Sequence, residues 1–449
     1  MEALEELKRQ GIEAEEGNEK YSKDMSYIEG EIPRYVVFPK RTEDVVKTMK
    51  FCYENKIPIV ARGSGSSLTG SSVGVKGCIV VDLSKMKKIL EVSKEGRYAV
   101  VEPGIVLDEL NERLKDYGLF YPPDPGSSYI ASLGGTIATN AGGIRSVRYG
   151  PTKNWVMGLE VVIPPGKVVR TGSFTHKLSR GYDLTSLFVG SEGTLGIITK
   201  CIIRLEALQR GSYVILSTFR KARDAITAAI ETYRSAASCD MLEFLDEPSM
   251  KYLERAGIKT EGGSCALIVR VGRKEDQEAA VKIIKKHSSA LLASKGEKEA
   301  ESIIRVRKRT YEFIKEDAER GKKEVIVEDY IVPIEKMQET IEEMQRYCRR
   351  KGIECIFFGH VGEGNIHPNI IVKKGDKGVG KVIEDLAMIA IRNKGSISGE
   401  HGIGIGKKKM MYEEFKAINS PATLELMKKI KSTIDPEWIL NPGKMLDKG

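Results

Sequence analysis

Apolar residues recur along this chain in two textures. From about Tyr35 to Leu205, short apolar runs alternate with glycine-rich stretches. After Arg41, Thr42 stands where a helix cap would, Glu43 and Asp44 fill the first turn, and Val45, Val46, Met49 and Cys52 recur at helical spacing. That pattern predicts a helix capped by Thr42. Residues 57–60, 79–83 and 98–102 read as strands, the first running into a glycine-rich loop. Beyond Leu205 the glycines thin out and helices alternate with strands. Strands are predicted over 266–271, 325–332, 353–361 and 366–372. A helix over 334–351 places Ile334, Met337, Ile341 and Met344 on one face and ends at Gly352. Further helices are predicted over 381–392 and 421–434, with no internal repeat. The texture divides the chain into an N-terminal domain, 1–205, a second domain, 206–405, and a C-terminal helical segment, 406–449, that returns to the first.

Composition narrows the class. A chain of 449 residues exceeds one ordinary core, and 41% hydrophobic with 30% charged residues suits a globular protein. No run approaches the roughly 18 to 20 uncharged apolar residues that cross a bilayer. The start, with Glu2, Glu5, Glu6 and Lys8, has no apolar core of a secretory signal. A cytoplasmic protein is expected, and peripheral attachment to the inner face of a membrane is compatible with that, as is a homodimer. The net charge of +9 is spread over 72 basic and 63 acidic residues without a basic run interleaved with aromatics, which argues against nucleic acid as a partner. Seven scattered cysteines without a Cys-x-x-Cys pair read as free thiols, not as an iron–sulfur site.

Four glycine-rich segments stand out: 62–70, 122–128, 133–143 and 189–199. Each is read as following an apolar strand. Glycine allows positive φ and lets backbone N–H groups approach a phosphate, so a pyrophosphate cradle is expected. None of the four fits Gly-x-Gly-x-x-Gly opening a helix, which disfavours a Rossmann NAD site. Three of the five histidines fall in Gly359-His-Val-Gly-Glu-Gly-Asn-Ile-His367 and Ser398-Gly-Glu-His-Gly402. His360 and His367 would face opposite ways on one straight strand, but Gly362 and Gly364 permit a hairpin that aims both at one point. With Glu400 they suit zinc first, or manganese or iron(II), with positions left open for substrate.

In these segments, above all Gly190-Ser-Glu-Gly-Thr-Leu-Gly-Ile-Ile198, the chain resembles the flavoproteins of the p-cresol methylhydroxylase and vanillyl-alcohol oxidase type. The likeness is to their D-2-hydroxy-acid dehydrogenase branch, which includes the flavin-binding chain of glycolate oxidase, D-lactate dehydrogenase and D-2-hydroxyglutarate dehydrogenase, and it runs from about Tyr21 to Lys444. It implies an α+β fold: an FAD-binding domain of two α+β subdomains, and a substrate-capping domain with an antiparallel sheet flanked by helices. By that resemblance Arg62, Gly63, Ser64, Gly65, Ser66, Ser67, Leu68 and Thr69 would hold the pyrophosphate. Pro123, Asp124, Gly134, Gly135, Thr136, Asn140 and Gly143 would line the flavin and ribityl chain, and Glu192, Gly193 and Ile198 would border the adenosine or the ring. Some relatives bind FAD covalently through a histidine in the first loop; Ser66 stands there here, which implies non-covalent FAD.

The same resemblance makes His360, His367 and Glu400 metal ligands, His401 the general base and Arg307 the anchor for the substrate carboxylate. Relatives often carry Trp three residues before that arginine, where this chain has Ile304. Asn365 is a candidate to orient substrate and Asn441 to touch the flavin, each with a turn role as its alternative. The implied reaction oxidises a D-2-hydroxy acid, such as D-lactate, glycolate or D-2-hydroxyglutarate, to the 2-oxo acid. Hydride passes from C2 to flavin N5, and electrons go on to a non-NAD acceptor: a quinone, a cytochrome, an electron-transfer flavoprotein or an iron–sulfur subunit. The rival readings are a catalytically silent flavin subunit and a non-redox enzyme similar to alkylglycerone-phosphate synthase.

Overall fold

A computed structural model describes residues 2–208, 211–255, 257–258, 260, 263–376 and 378–448. The chain divides into two units: 1–142, 151–208 and 400–449 form the first, and 143–150 with 209–399 the second.

In the first unit, strands β1 (Ala14–Glu16), β2 (Tyr35–Val37), β3 (Ile59–Arg62) and β4 (Ile79–Asp82) form a sheet ordered β1-β2-β4-β3, with β2 and β3 parallel to β4. Parallel strands are covered on both faces, which is why they read as unbroken Val and Ile runs. Helix α1 (Thr42–Glu54) follows β2 and buries Val45, Met49 and Cys52, each apolar side chain contributing about 1.5–3 kcal/mol. The expected Thr42 cap is corrected. Arg41 takes the cap position, Thr42 opens the helix, and its Oγ1 donates to the buried Glu160 Oε1 at 2.8 Å. Donation from a hydroxyl to an ionised carboxylate is a charge-assisted hydrogen bond.

The second sheet of this unit is antiparallel: β5 (Ile89–Ser93), β6 (Tyr98–Val101), β7 (Val156–Ile163), β8 (Lys167–Gly172) and β9 (Ile197–Arg204), ordered β5-β6-β9-β7-β8. The fourth glycine segment follows the helix Leu184–Phe188, and the third does not follow a strand either. The third is helix α2 (Leu133–Thr139), capped by Ser132 Oγ, which accepts from Gly135 N at 3.3 Å, and closed by Asn140 at φ 52°. The chain's last residues return beside β3: Ile59 N donates to Ile439 O and Asn441 N to Ile59 O, both at 2.7 Å. The helix Pro421–Ile434 is stapled there by the buried Lys431, whose Nζ donates to Thr194 O at 2.7 Å and Leu440 O at 2.9 Å.

The second unit is built on one antiparallel sheet of eight strands. These are β10 (Tyr213–Phe219), β11 (Cys239–Leu245), β12 (Cys265–Val271), β13 (Ala290–Ala293), β14 (Lys323–Val327), β15 (Tyr330–Ile331), β16 (Glu354–His360) and β17 (Asn365–Lys373). The order is β13-β10-β12-β11-β16-β17-β14, and β15 also pairs with β17. Helix α3 (Glu297–Arg320) lays Ile303 and Ile314 into a core with Val214, Leu216, Met241 and Ile268. Helix α4 (Met337–Lys351) ends at Gly352 in the left-handed region, and its expected first turn over 334–336 is a 3₁₀ turn. The single strand expected over 325–332 is broken at Glu328 and Asp329, because Asp329 gathers donors that a regular ladder would not supply. Open, mainly antiparallel sheets with helices packed alongside make the fold α+β. No helix of the described residues is long and apolar enough to cross a membrane.

Candidate metal centre and flavin loops

Strands β16 and β17 are the two arms of a hairpin, in register with Phe358 opposite His367. Reversal of the chain between them turns a seven-residue separation into a shared face. The rings of His360 and His367 have centroids 5.1 Å apart at 78°. The turn depends on Gly364, at φ 81°, where a Cβ would stand 1.9 Å from the Val332 carbonyl oxygen. Ligand atoms of His360, His367 and Glu400 all lie within 4.8 Å of one another.

The hydrogen bonds of the two histidines decide which nitrogen faces an ion. His367 Nδ1 is 3.2 Å from the carbonyl oxygen of Glu328, which can only accept, so Nδ1 carries the proton and Nε2 keeps its lone pair. His360 Nδ1 bonds to Glu243 Oε1 across the register pair of β11 and β16. Burial pushes the Glu243 carboxyl up, but the charges and hydrogen bonds of His360 and Arg307 outweigh it and hold the group below the ordinary carboxylate value. Ionised, it accepts from Nδ1–H, so that loss of the Nε2 proton leaves that nitrogen for a ligand. Arg307, on α3, donates to Glu243 Oε2 from Nη2 at 2.7 Å and from Nε at 3.0 Å. Its guanidinium lies over the Phe358 ring, 4.4 Å from the centroid.

Glu400 follows a segment held by Asp329. The Asp329 Oδ2 accepts from Ser398 Oγ at 2.9 Å and from Gly399 N at 2.8 Å, and Oδ1 accepts from Asn365 Nδ2 at 2.6 Å. Asn365 also donates to Tyr330 O at 3.2 Å, so its amide nitrogen serves the scaffold. Its Oδ1 and that of Asn369 are buried without a hydrogen-bond partner. His401 Nε2 is 3.8 Å from Glu400 Oε1. Sequence reasoning missed Glu243, Asp329 and Asn369. Only Asn369 had a signal: it lies two residues past His367 and therefore on its face.

In the first unit the glycine segments meet. A Cβ on Gly63 would fall 2.0 Å from Ser132 Oγ, the cap of α2. Glu192 N donates to Ala138 O at 2.8 Å, laying segment 189–199 on α2, and Ile405 N donates to Thr69 O at 3.0 Å. Gly65 and Gly193 need their positive φ angles of 73° and 70°. The Arg62 guanidinium is turned to the protein: Nη1 donates to Ser72 O at 3.0 Å and Nη2 to Lys20 O at 3.4 Å. Thr136 Oγ1 bonds back to Leu133 O, Asn140 Oδ1 accepts from Lys153 N, Gly134 packs on Pro103, and Ile198 lies in β9 opposite Val161. Pro123 is buried and Asp124 half-buried after the strand Leu119–Phe120, while Gly143 belongs to the second unit. The buried Glu192 carboxylate accepts from Ile403 N at 2.6 Å and Gly404 N at 2.8 Å, and burial raises its pKa to about 7 despite those bonds.

Residues 33–172 match the family described as FAD binding domain, and residues 208–445 match FAD linked oxidases, C-terminal domain. The chain belongs to the FAD-linked oxidases. It is 36% identical to a D-lactate dehydrogenase of Archaeoglobus fulgidus over 92% of this chain and 91% of that one. It is 33% identical to a glycolate oxidase subunit of Bacillus subtilis over 95% of this chain and 92% of that one. The solved structure of p-cresol methylhydroxylase with substrate bound superposes with a TM-score of 0.77 at 18% identity, covering 99% of this chain and 96% of that one, which shows the fold.

The loops of this FAD-linked oxidase suit the cofactor its family is named for. Arg62 is buried, yet Gly63, Gly65 and Ser66 are half-buried and Ser64 is exposed, which leaves backbone open where β3 ends. Asn441 uses Nδ2 on Glu192 O at 2.6 Å and Ser71 O at 3.1 Å, and its Oδ1 is buried without a partner. An open glycine loop beside an orphaned acceptor is what a ligand with phosphates and an N–H would complete.

Proposed function

We propose that the protein oxidises a D-2-hydroxy acid to its 2-oxo acid, using non-covalent FAD and a divalent ion held by His360, His367 and Glu400. The observation that carries the reading is the convergence of those three ligand atoms within 4.8 Å, with each histidine's Nδ1 already committed to a protein acceptor. Similarity to a D-lactate dehydrogenase and a glycolate oxidase subunit over nine-tenths of the chain supports the substrate class. Two imidazoles and one carboxylate favour zinc, with manganese and iron(II) as alternatives.

When bound, FAD supplies the acceptor for the electron pair leaving C2, and the cation supplies the charge that lowers the pKa of the α-hydroxyl. His401 accepts the hydroxyl proton, a task suited to an imidazole whose ordinary pKa is near neutrality. Arg307 contributes fixed positive charge for the substrate carboxylate, while its Nε and Nη2 hold Glu243. The residues assigned to the pyrophosphate, from Gly63 to Thr69, bind through backbone N–H and hydroxyl groups. Ser66 offers no imidazole for a flavin bond. Electrons leave to a partner other than NAD, since no glycine segment has the dinucleotide-binding spacing.

The test is anaerobic. D-lactate, D-2-hydroxyglutarate and glycolate are added separately to the purified protein, and flavin absorbance is followed before and after chelation. Bleaching by one acid, lost on chelation and restored by zinc or manganese, is expected. A flavin that no 2-hydroxy acid bleaches would refute the proposed reaction, and bleaching indifferent to chelation would refute the metal's part in it.

A further inference from the structure

Asp329 is none of the candidate ligands, and its side chain is wholly buried. A buried carboxylate is retained only where its lost hydration is replaced by donors. Those donors come from both segments that carry the ligands. Asn365, on Oδ1, opens the strand on which His367 stands, and Ser398 and Gly399, on Oδ2, lead directly into Glu400. The bond to Gly399 spans 70 residues and lands on a backbone N–H, which cannot turn away as a side chain can.

The three ligands differ in what fixes them. His360 and His367 stand on strands paired along their length, so the sheet sets their positions. Glu400 lies outside the described strands, in Ser398-Gly-Glu-His-Gly-Ile-Gly404, where Gly402 and Gly404 take φ angles of 82° and 52°. Such a backbone has many alternatives of similar energy. Before Glu400, its segment is tied by the bridge between Ile331 and Ser396 and by the two bonds to Asp329 Oδ2.

We infer that Asp329 is a positioning residue that clamps the Glu400 segment to the histidine hairpin, so that three ligands stand ready for one ion. The inference rests on the metal reading above. It gives Asn365 a place in the clamp, as the donor that fixes Asp329 Oδ1. Outer partners of this kind typically change metal affinity 10–100-fold.

The experiment uses the full chain with FAD bound. Wild type, Asp329→Ala, Asp329→Asn and Ser398→Ala are stripped with a chelator and titrated with zinc, and separately manganese, against a chromophoric competitor. Flavin content and absorbance report whether the fold survives. Asp329→Ala is expected to bind 10–100-fold more weakly and Ser398→Ala about 3–10-fold more weakly, with unchanged flavin spectra and turnover recovered by excess metal. Asp329→Asn falls between, because one amide oxygen cannot serve both sets of donors. Wild-type metal affinity in the variants overturns the inference and leaves the metal reading standing. If Asp329→Ala does not fold, Ser398→Ala and Asp329→Asn decide the question in the same way. A wild-type protein that binds neither metal refutes the metal reading, and the clamp with it.

Discussion

Arg307 Nη2 lies 2.7 Å from Glu243 Oε2, an ion pair with both partners buried. The other oxygen of that carboxylate holds His360 Nδ1, so an arginine on a helix is linked through one side chain to a candidate metal ligand. Glu243→Gln would leave Arg307 buried without a counter-charge, at a cost of about 3–5 kcal/mol by denaturant unfolding. Zinc affinity should fall about tenfold or more in the same variant. Replacing both partners, Glu243→Leu with Arg307→Met, should recover much of the stability but not the zinc affinity. Recovery of both would mean that Glu243 acts on stability alone.

Removing a ligand should separate the metal from the flavin. His367→Ala and Glu400→Gln are expected to retain FAD at wild-type stoichiometry and to lose at least about 100-fold in kcat/KM, the scale of a Lewis acid worth several kcal/mol. Chelation should then have no further effect. Steady-state kinetics on D-lactate and the other acids, with flavin content measured alongside, checks both statements.

Gly364→Ala tests the hairpin. Its Cβ would meet the Val332 carbonyl oxygen at 1.9 Å from a left-handed φ of 81°, so the turn must shift and His360 with it. Strain alone costs about 1–3 kcal/mol, and zinc affinity should drop as the two imidazoles separate. Gly352→Ala is the control, since φ there is 64° but no atom lies within 4 Å of the added Cβ. It should cost about 1 kcal/mol and leave zinc binding and turnover unchanged. Thermal unfolding and zinc titration of the pair give the comparison.

Glu192 sets a pH dependence of stability. Its carboxyl titrates at about 7 in the folded chain against an ordinary 4.5, so between those values the native state holds a proton that the unfolded state has lost. Stability is therefore greatest below about pH 4.5 on this account and falls as pH rises to 7, by on the order of 3 kcal/mol. Lys444, lowered by burial to about 7 from 10.5, acts in the opposite sense and only above pH 7. Glu192→Gln should flatten the slope between pH 5 and 7, measured as denaturant midpoints at both values. An unchanged slope would place the titration elsewhere.

Acid or denaturant precipitation should release all of the FAD and leave a colourless protein, because Ser66 has no ring nitrogen to bond the flavin. Retention of yellow colour in the washed precipitate would contradict the non-covalent reading.

Much of this protein is legible in the chain itself, because some of its physics is local. The helix Pro421–Ile434 begins at a proline and runs as its apolar rhythm predicts, and the Val and Ile runs of β3 and β4 show strands covered on both faces. His360, His367 and Glu400 stand in short glycine-bracketed strings, so their chemistry could be proposed before any fold was known. Tertiary structure alone decided the partners. Glu243 lies in no segment that the sequence marked out, and only the pairing of β11 with β16, across 117 residues, puts it on His360. Asp329 sits in what reads as an unbroken strand until segment 396–399 is laid beside it. Residues 143–150 join the second unit because Ile144 enters its core and Arg148 Nη1 reaches Asp240 Oδ1 at 2.5 Å. Hydrophobic period and turn chemistry are written within a few residues, but strand order and the partner of a buried charge depend on which distant segments share a sheet.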